Sequence, residues 1–327
     1  MKKITLLFFA LVTILACKED VETTIKLNGP VFGTGYNIQY YSEEGINYQK
    51  EFDSLFTVIN NSLSTYISSS DISKWNRNEP VEIDEHFTTV FNTSKKIFKE
   101  SKGLFDPTIG NVVNAWNFGP DENKFLTDST TIKSLMQHVG FDRVIKTPTR
   151  FIRPDSAYLD FNAIAKGYGI DVIGEFLESR SIRNYIVDIG GDIRASGINK
   201  EKKKGWTIGI EDPNFDGSQS YSKAITLTNK GMATSGTYRK FKVDEEGNRY
   251  AHIINTTTGY PTKTNVLSVS VIAPNAMLAD GYATTFQTMG LEKTKVFLNA
   301  HPELQVYFIY LDESGALQTL SLNGFPE

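Results

Sequence analysis

The chain has 327 residues, of which 40% are hydrophobic and 22% charged, so it can bury a large core and is not mainly disordered. Its 34 basic and 38 acidic residues give a net charge of −4, which lacks the basic field that gathers nucleic acid. With 25 glycines and 11 prolines it is neither collagenous nor of low complexity. We therefore expect a globular protein with no nucleic-acid partner.

The first residues have the layout of an export signal. A short cationic start precedes an apolar stretch over residues 4–16, which is too short to span a bilayer as a helix. The letters ILAC, ending at Cys17, resemble a bacterial lipobox, and Cys17 is the only cysteine. We expect residues 1–16 to be a signal peptide and residues 17–28 to be the lipidated cysteine and its tether. The protein would then be a bacterial membrane-anchored lipoprotein, extracytoplasmic and on the periplasmic side; the alternative is an ordinary secretion signal with an incidental cysteine.

Helix and strand patterns interleave over residues 29–327, which we take as one domain. Apolar residues at helical spacing predict helices around residues 52–63, 87–98 and 132–139. Strand-like runs lie at residues 36–40, 185–189, 206–210, 224–228, 266–272 and 305–310. The basic run at residues 201–205 is typical of a solvated turn. The sequence therefore predicts an α+β fold, a single domain of mixed β-sheets flanked by helices.

Four polar residues are candidates for chemistry. Asp280 and Thr284 lie four residues apart in a predicted helix, so they share one face, and their hard oxygens suit Mg²⁺. An isolated pair of this kind more often bonds its own helix, and that alternative stays open. Lys166 is flanked by a glycine that lets backbone and ammonium approach a phosphate. His252 lies in a segment rich in Thr, Gly and Pro, where it is either a general base or a structural histidine.

Eight short segments, in this order, resemble the FAD:protein FMN transferase family, also called ApbE. They are FGT from Phe32, SLSTY from Ser62, GLFDPT from Gly103, DFNAIAKGY from Asp160, IGGD from Ile189, ATSG from Ala233, HII from His252 and ADGYAT from Ala279. The resemblance runs from about residue 29 to residue 290, and each segment alone is a weak signal.

The resemblance implies an ApbE-like domain that transfers the FMN part of FAD to a Thr or Ser hydroxyl of a client flavoprotein. The product would be a phosphoester, AMP would be released, and Mg²⁺ would be required. By position in the family pattern, Mg²⁺ would be held by Asp280, Thr284 and the main-chain carbonyl of Ala163. Asp280 and His252 would be catalytic, with His252 as the base. The residues against which FAD would lie are Phe32, Tyr66, Leu104, Phe105, Asp106, Asp160, Lys166 and Ile254.

Three positions depart from the family pattern. Phe32 stands where methionine is common, which preserves an apolar wall. Asn255 and Thr256 replace the usual Asp-Pro, which removes a negative charge beside the HII segment. Tyr66 is aromatic where members that hydrolyse FAD carry a smaller polar residue, which favours transfer. Two alternatives remain: a Mg²⁺-dependent FAD pyrophosphatase that yields FMN and AMP, and a non-enzymatic lipoprotein that binds FAD.

Overall fold

The computed structural model describes residues 22–120, 128–147, 150–214, 218–238, 241–244, 246 and 249–327. The predicted signal peptide and Cys17 lie outside these residues, so cleavage and lipidation stay predictions. Within the described ranges, no helix combines the length and the apolar character needed to cross a membrane.

Helices and strands alternate along the described part of the chain. In chain order they are β1 (Thr23–Val31), β2 (Thr34–Ser42), α1 (Gln49–Leu63), α2 (Asp71–Asn76), α3 (Glu85–Glu100), α4 (Gly110–Ala115), α5 (Ser129–Met136), β3 (Ile145–Lys146), β4 (Phe151–Ile152), α6 (Ala165–Ser179), β5 (Tyr185–Ile189), β6 (Asp192–Ser196), β7 (Trp206–Glu211), β8 (Tyr221–Leu227), β9 (Lys230–Gly236), β10 (Phe241–Val243), β11 (Arg249–Ala251), β12 (Val266–Ala273), α7 (Ala276–Met289), α8 (Leu291–Leu298), β13 (Gln305–Leu311) and β14 (Leu317–Leu322). Two 3₁₀ turns, Pro107–Ile109 and Phe141–Arg143, precede α4 and β3.

Eight strands form one antiparallel sheet in the order β1-β2-β5-β6-β9-β12-β13-β14. On one face, Val269 and Val271 of β12 join the core beneath α7. On the other face, Ile272 packs in a second core with Ile208 and Ile225 of the β7–β8 hairpin. Because β12 is covered on both faces, every one of its residues is buried. The α+β prediction is confirmed, with helices and a hairpin on opposite sides of the sheet.

The predicted helices and strands correspond to α1, α3, α5 and to β2, β5, β7, β8, β12 and β13. Residues 201–203 form a turn, as the basic run indicates. The start of the domain differs from the prediction: residues 23–28, assigned to the tether, are part of β1 and pair with β2. Ile25 and Leu27 are partly buried in the core beside that hairpin, and this burial recruits the segment into the sheet.

Candidate functional site

Three charged side chains meet where the N-terminus of α6 lies between α7 and β6. The Nζ atom of Lys166 lies 2.9 Å from Oδ2 of Asp192. The Oδ2 atom of Asp280 accepts a hydrogen bond of 3.0 Å from the backbone N–H of Gly167. Both aspartates are buried. Burial raises the pKa of Asp280, the charge of Asp192 raises it further, and Lys166 and the Gly167 N–H only partly oppose this.

The absence of a side chain at Gly167 is what allows this close approach. A Cβ atom there would lie 2.3 Å from the carbonyl oxygen of Ala276 and 2.8 Å from Cβ of Asp280. The register of α7 is fixed by Asp171, whose carboxylate accepts hydrogen bonds from the N–H groups of Ala276 and Met277 at 3.0 and 2.8 Å. Helix α6 therefore both contacts Asp280 and holds the helix that carries it.

Thr284 follows Asp280 by one turn of α7, as the sequence predicts, and its hydroxyl lies 3.2 Å from that of Ser235 on β9. Ala163 lies just before α6 and packs partly buried against the main core. We call Lys166, Asp192, Ser235, Asp280 and Thr284 the cation cluster. These residues belong to four different elements that converge beside the N-terminus of α6.

The cation cluster fits a hard divalent cation. Within the described part of the chain, Asp280 receives only the Gly167 hydrogen bond, and Oδ2 of Asp192 is buried with an ion pair but no hydrogen bond. Two buried carboxylates that share one ammonium group leave negative charge uncompensated. No group of three His, Cys, Asp or Glu side chains suited to a metal occurs among the described residues. A metal here would therefore also need hydroxyl and carbonyl oxygens, which is the preference of Mg²⁺.

A second group of predicted site residues surrounds Phe118. The Tyr66 side chain is 57% exposed, and its hydroxyl lies 3.5 Å from the carbonyl oxygen of Phe118. The rings of Phe118 and His252 are 6.3 Å apart, and Nζ of Lys242 lies 5.7 Å from the Phe118 ring. Desolvation raises the pKa of Tyr66, and the nearby charge of Asp160 raises it further. The structure thus relates the predicted base, through Phe118, to the predicted FAD contact Tyr66, which in turn lies near Asp160.

The loop before α4 contains three of the predicted FAD contacts. Phe105 and Asp106 are buried, and Leu104 is partly buried. The Asp106 carboxylate accepts hydrogen bonds from the N–H and hydroxyl of Thr108, at 2.8 and 2.6 Å, and from the Phe141 N–H at 3.1 Å. Its observed interactions therefore shape the loop, and contact between these three residues and FAD stays a prediction.

Phe32 occupies the two-residue turn between β1 and β2. Its φ of +48° is unusual for a bulky residue and indicates a backbone held in place by its surroundings. The ring packs 5.5 Å from that of Phe56 and lies so close to Gly169 of α6 that a Cβ there would be 2.6 Å from it. Phe32 thus forms an apolar wall beside the helix that carries Lys166.

The HII segment is held by its own turn. Ile254 is buried in a satellite core with Trp116, so its side chain packs inward. The Asn255 side chain accepts hydrogen bonds from the backbone N–H groups two and three residues further on, at 2.9 and 3.1 Å, and thereby fixes the turn that follows. Thr256 donates a hydrogen bond of 2.6 Å to the Gly103 carbonyl, which ties this turn to the loop before α4.

The sequence did not lead us to place three residues in this site, although Ser235 could be written into a low-ranked hydrolase triad with His252 and Asp280. Asp192 and Ser235 lie in the IGGD and ATSG segments, so a signal existed, but their partners are on α6 and α7 and far away in the chain. Phe118 carries no motif. Segment 160–166 connects the two groups, since Asp160 is electrostatically coupled to Tyr66 and Lys166 pairs with Asp192.

Comparison with known proteins gives consistent matches over most of the chain. A sequence profile of the ApbE family matches residues 32–308. The FAD:protein FMN transferase of Haemophilus influenzae is 34% identical over 320 residues, covering 93% of this chain and 91% of that protein. The protein of the same name from Vibrio cholerae is 33% identical, covering 94% and 93%. Among solved structures, the flavin transferase ApbE from Vibrio cholerae superposes with a TM-score of 0.83 at 32% identity, covering 92% of this chain and 97% of that one.

Proposed function

Because the chain belongs to the ApbE family, we propose that it is an FAD:protein FMN transferase. A Thr or Ser hydroxyl of a client flavoprotein attacks the FMN phosphorus of FAD. A new P–O bond joins FMN to the client as a phosphoester, the bond from that phosphorus to the bridging oxygen breaks, and AMP leaves. The observation that carries the proposal is the cation cluster, in which one ammonium and two buried carboxylates converge beside the N-terminus of α6.

We assign the metal to residues of this cluster. Asp280, Thr284 and the carbonyl of Ala163 would hold Mg²⁺, which supplies positive charge to the pyrophosphate of FAD and to the leaving AMP. Lys166 binds phosphate oxygens of FAD beside it. Asp192 keeps the Lys166 ammonium in position through their ion pair.

The second group of site residues supports binding and proton transfer. The exposed ring of Tyr66 offers a stacking surface for one of the two aromatic systems of FAD. His252 accepts the proton of the client hydroxyl, and Phe118 orients its ring. An aromatic at residue 66 favours the transferase by the family pattern, in which members that hydrolyse FAD can carry a smaller polar residue there.

We also propose that the mature protein is a lipoprotein, acylated at Cys17 and anchored in a bacterial membrane with its domain outside the cytoplasm. The ILAC segment and the apolar leader support this part of the proposal.

The test uses the mature chain with FAD, Mg²⁺ and a client domain that bears an acceptor Thr. We expect the intact mass of the client to rise by one FMN unit, and this gain to disappear in EDTA or with Asp280→Ala. If FAD is instead converted to free FMN and AMP, the protein is a pyrophosphatase. If FAD survives with its proper client, the protein only binds FAD.

His252→Ala separates a base from a structural histidine. If His252 is the base, the variant should show a large fall in the rate of FMN transfer with an almost unchanged Kd for FAD. An equal loss in both quantities would remove His252 from the chemistry.

A further inference from the structure

The chain enters the sheet at the end opposite to the candidate site. Strand β1 starts at Thr23 and ends beside the Phe32 turn, and nine strand residues span about 27 Å. Tyr36 pairs with Ile189, so the Phe32 turn and the β5–β6 turn that precedes Asp192 lie at the same end of the sheet. The N-terminal tether and the cation cluster are therefore separated by roughly the length of the sheet.

A basic turn lies directly beside this point of entry. Residues 200–204 connect β6 to β7 and include four exposed lysines, at positions 200, 202, 203 and 204. Lys200 forms an ion pair with Glu22, the residue before β1. The Thr24 hydroxyl donates a hydrogen bond of 3.2 Å to the Glu201 carboxylate. These contacts place the turn against the first residues of the sheet.

Buried polar groups hold the turn in one conformation. The buried Asn199 side chain accepts hydrogen bonds from the Tyr41 hydroxyl at 3.1 Å and from the Lys202 N–H at 3.0 Å. The Tyr41 hydroxyl in turn accepts one of 3.3 Å from the Glu201 N–H. The lysines are therefore carried on a fixed turn and stay beside the tether.

Positive charge dominates this end of the sheet although the whole chain is negative. This end consists of the start of β1, the loops that follow β2 and β6, and the loops that precede β5 and β9. The pairing of the strands places these segments side by side. Its described cations are Arg180, Arg183, Lys200, Lys202, Lys203, Lys204 and Lys230, and its described anions are Glu22, Glu43, Glu44 and Glu201. Seven cations against four anions give these described residues an excess of three positive charges, which Lys18, Glu19 and Asp20 of the tether reduce to two, whereas the chain carries −4.

We infer that this end, which we call the anchor face, rests on an anionic lipid surface. The inference depends on the lipidation of Cys17 proposed above. Five residues lie between Cys17 and Thr23, and the six Cα–Cα steps reach at most about 20 Å, so the lipid holds the basic turn close to the bilayer. Clustered lysines near a membrane are attracted by anionic headgroups and add to an acyl anchor. The cation cluster then faces away from the membrane, toward clients in the aqueous space.

The test places a reporter at each end of the sheet. Acylation consumes the only natural cysteine, so Lys203→Cys introduces a single free thiol in the lipidated protein, and Lys263→Cys does the same just before β12, at the site end. Each variant carries a fluorophore and is reconstituted in vesicles with a headgroup-linked quencher. One vesicle type contains phosphatidylglycerol with phosphatidylcholine, and the other contains phosphatidylcholine alone.

We expect at least twofold stronger quenching at position 203 in anionic than in neutral vesicles, and no quenching at position 263. The difference should vanish in 0.5 M salt, about where the screening length falls below 5 Å, and after Lys202→Glu with Lys204→Glu. Unchanged unfolding midpoints would show that these surface variants are folded. Equal quenching at both positions, or quenching indifferent to lipid charge, overturns the inference.

Lipidation is checked separately. In the chain without an introduced cysteine, a thiol that still reacts with the fluorophore, together with failure to float with vesicles, shows that Cys17 is not acylated. That outcome overturns the anchor face, while the client mass assay continues to test the transferase independently.

Discussion

Replacing Gly167 by alanine should force α6 away from α7 at the candidate site. The added Cβ would lie 2.3 Å from the Ala276 carbonyl oxygen, 2.7 Å from its carbon and 2.8 Å from Cβ of Asp280. Two of these atoms are backbone and the third is fixed to the backbone, so no rotamer change removes the clash. The helices must separate by about 1 Å to restore ordinary contact.

Two opposing effects set the size of the destabilisation. Overpacking of this kind costs about 1–3 kcal/mol, whereas alanine in a helix interior gains up to about 1 kcal/mol over glycine. We expect a net loss of about 1–2 kcal/mol in the free energy of unfolding. The effect on FMN transfer should be larger, about 100-fold, because a shift of 1 Å also separates the Gly167 N–H from Asp280.

Urea unfolding and client mass gain measure the two effects, and Gly35→Ala is the matched control. A Cβ at Gly35 would meet only the Gly29 carbonyl oxygen, at an ordinary 3.6 Å. The control should change stability by no more than about 0.5 kcal/mol and leave transfer intact. If Gly167→Ala unfolds at the wild-type urea concentration and transfers FMN at the wild-type rate, the α6–α7 contact does not position Asp280.

Three further changes test the electrostatics and the loop. Asp280→Asn should abolish transfer yet stabilise the protein in EDTA at pH 8 by at least about 1 kcal/mol. The pKa of Asp280 is raised in the native state, so its ionisation at pH 8 disfavours that state, and the gain should shrink toward pH 4. A destabilised Asp280→Asn protein would contradict this. Lys166→Met should lower the free energy of unfolding by about 1–3 kcal/mol, because two buried carboxylates lose their ammonium partner. Adding Asp192→Asn should recover stability but not transfer, and no recovery in the double variant would mean that loss of the ion pair is not the cause. Asp106→Asn should lower the free energy of unfolding by about 1–3 kcal/mol, because one of the N–H groups that Asp106 binds loses its acceptor. An unchanged urea midpoint would show that the loop is held by other contacts.

The local pattern of apolar and polar residues predicts most of the secondary structure. Strand β5 has the predicted bounds, because its residues alternate between buried and half-buried positions, and α3 begins at a capping aspartate that the sequence displays. Strand β1 escaped prediction although it contains Ile25 and Leu27. It is an edge strand, which tolerates Pro30, and its first residues continue a polar segment, so the strand signal is weak.

The site was predictable only in part, because its geometry depends on contacts between distant segments. Asp280 and Thr284 are recognisable from their spacing within one helix. The pairing of Lys166 with Asp192 depends on the packing of α6 beside β6, which no local sequence pattern predicts. Asp106 shows the reverse limitation: the motif suggests a ligand contact, whereas the observed hydrogen bonds go to its own loop and to the Phe141 N–H.

The position of the first hairpin also sets the order in which the chain can fold. Strand β2 ends at Ser42, and its other neighbour in the sheet, β5, begins only at Tyr185. An isolated two-stranded hairpin is marginal in water, and closing so long a loop is slow. During synthesis from the N-terminus, the second edge of β2 therefore stays unpaired until more than half of the sequence is available. Folding is completed late, and a chain stalled before β5 would expose an unpaired strand edge to its neighbours.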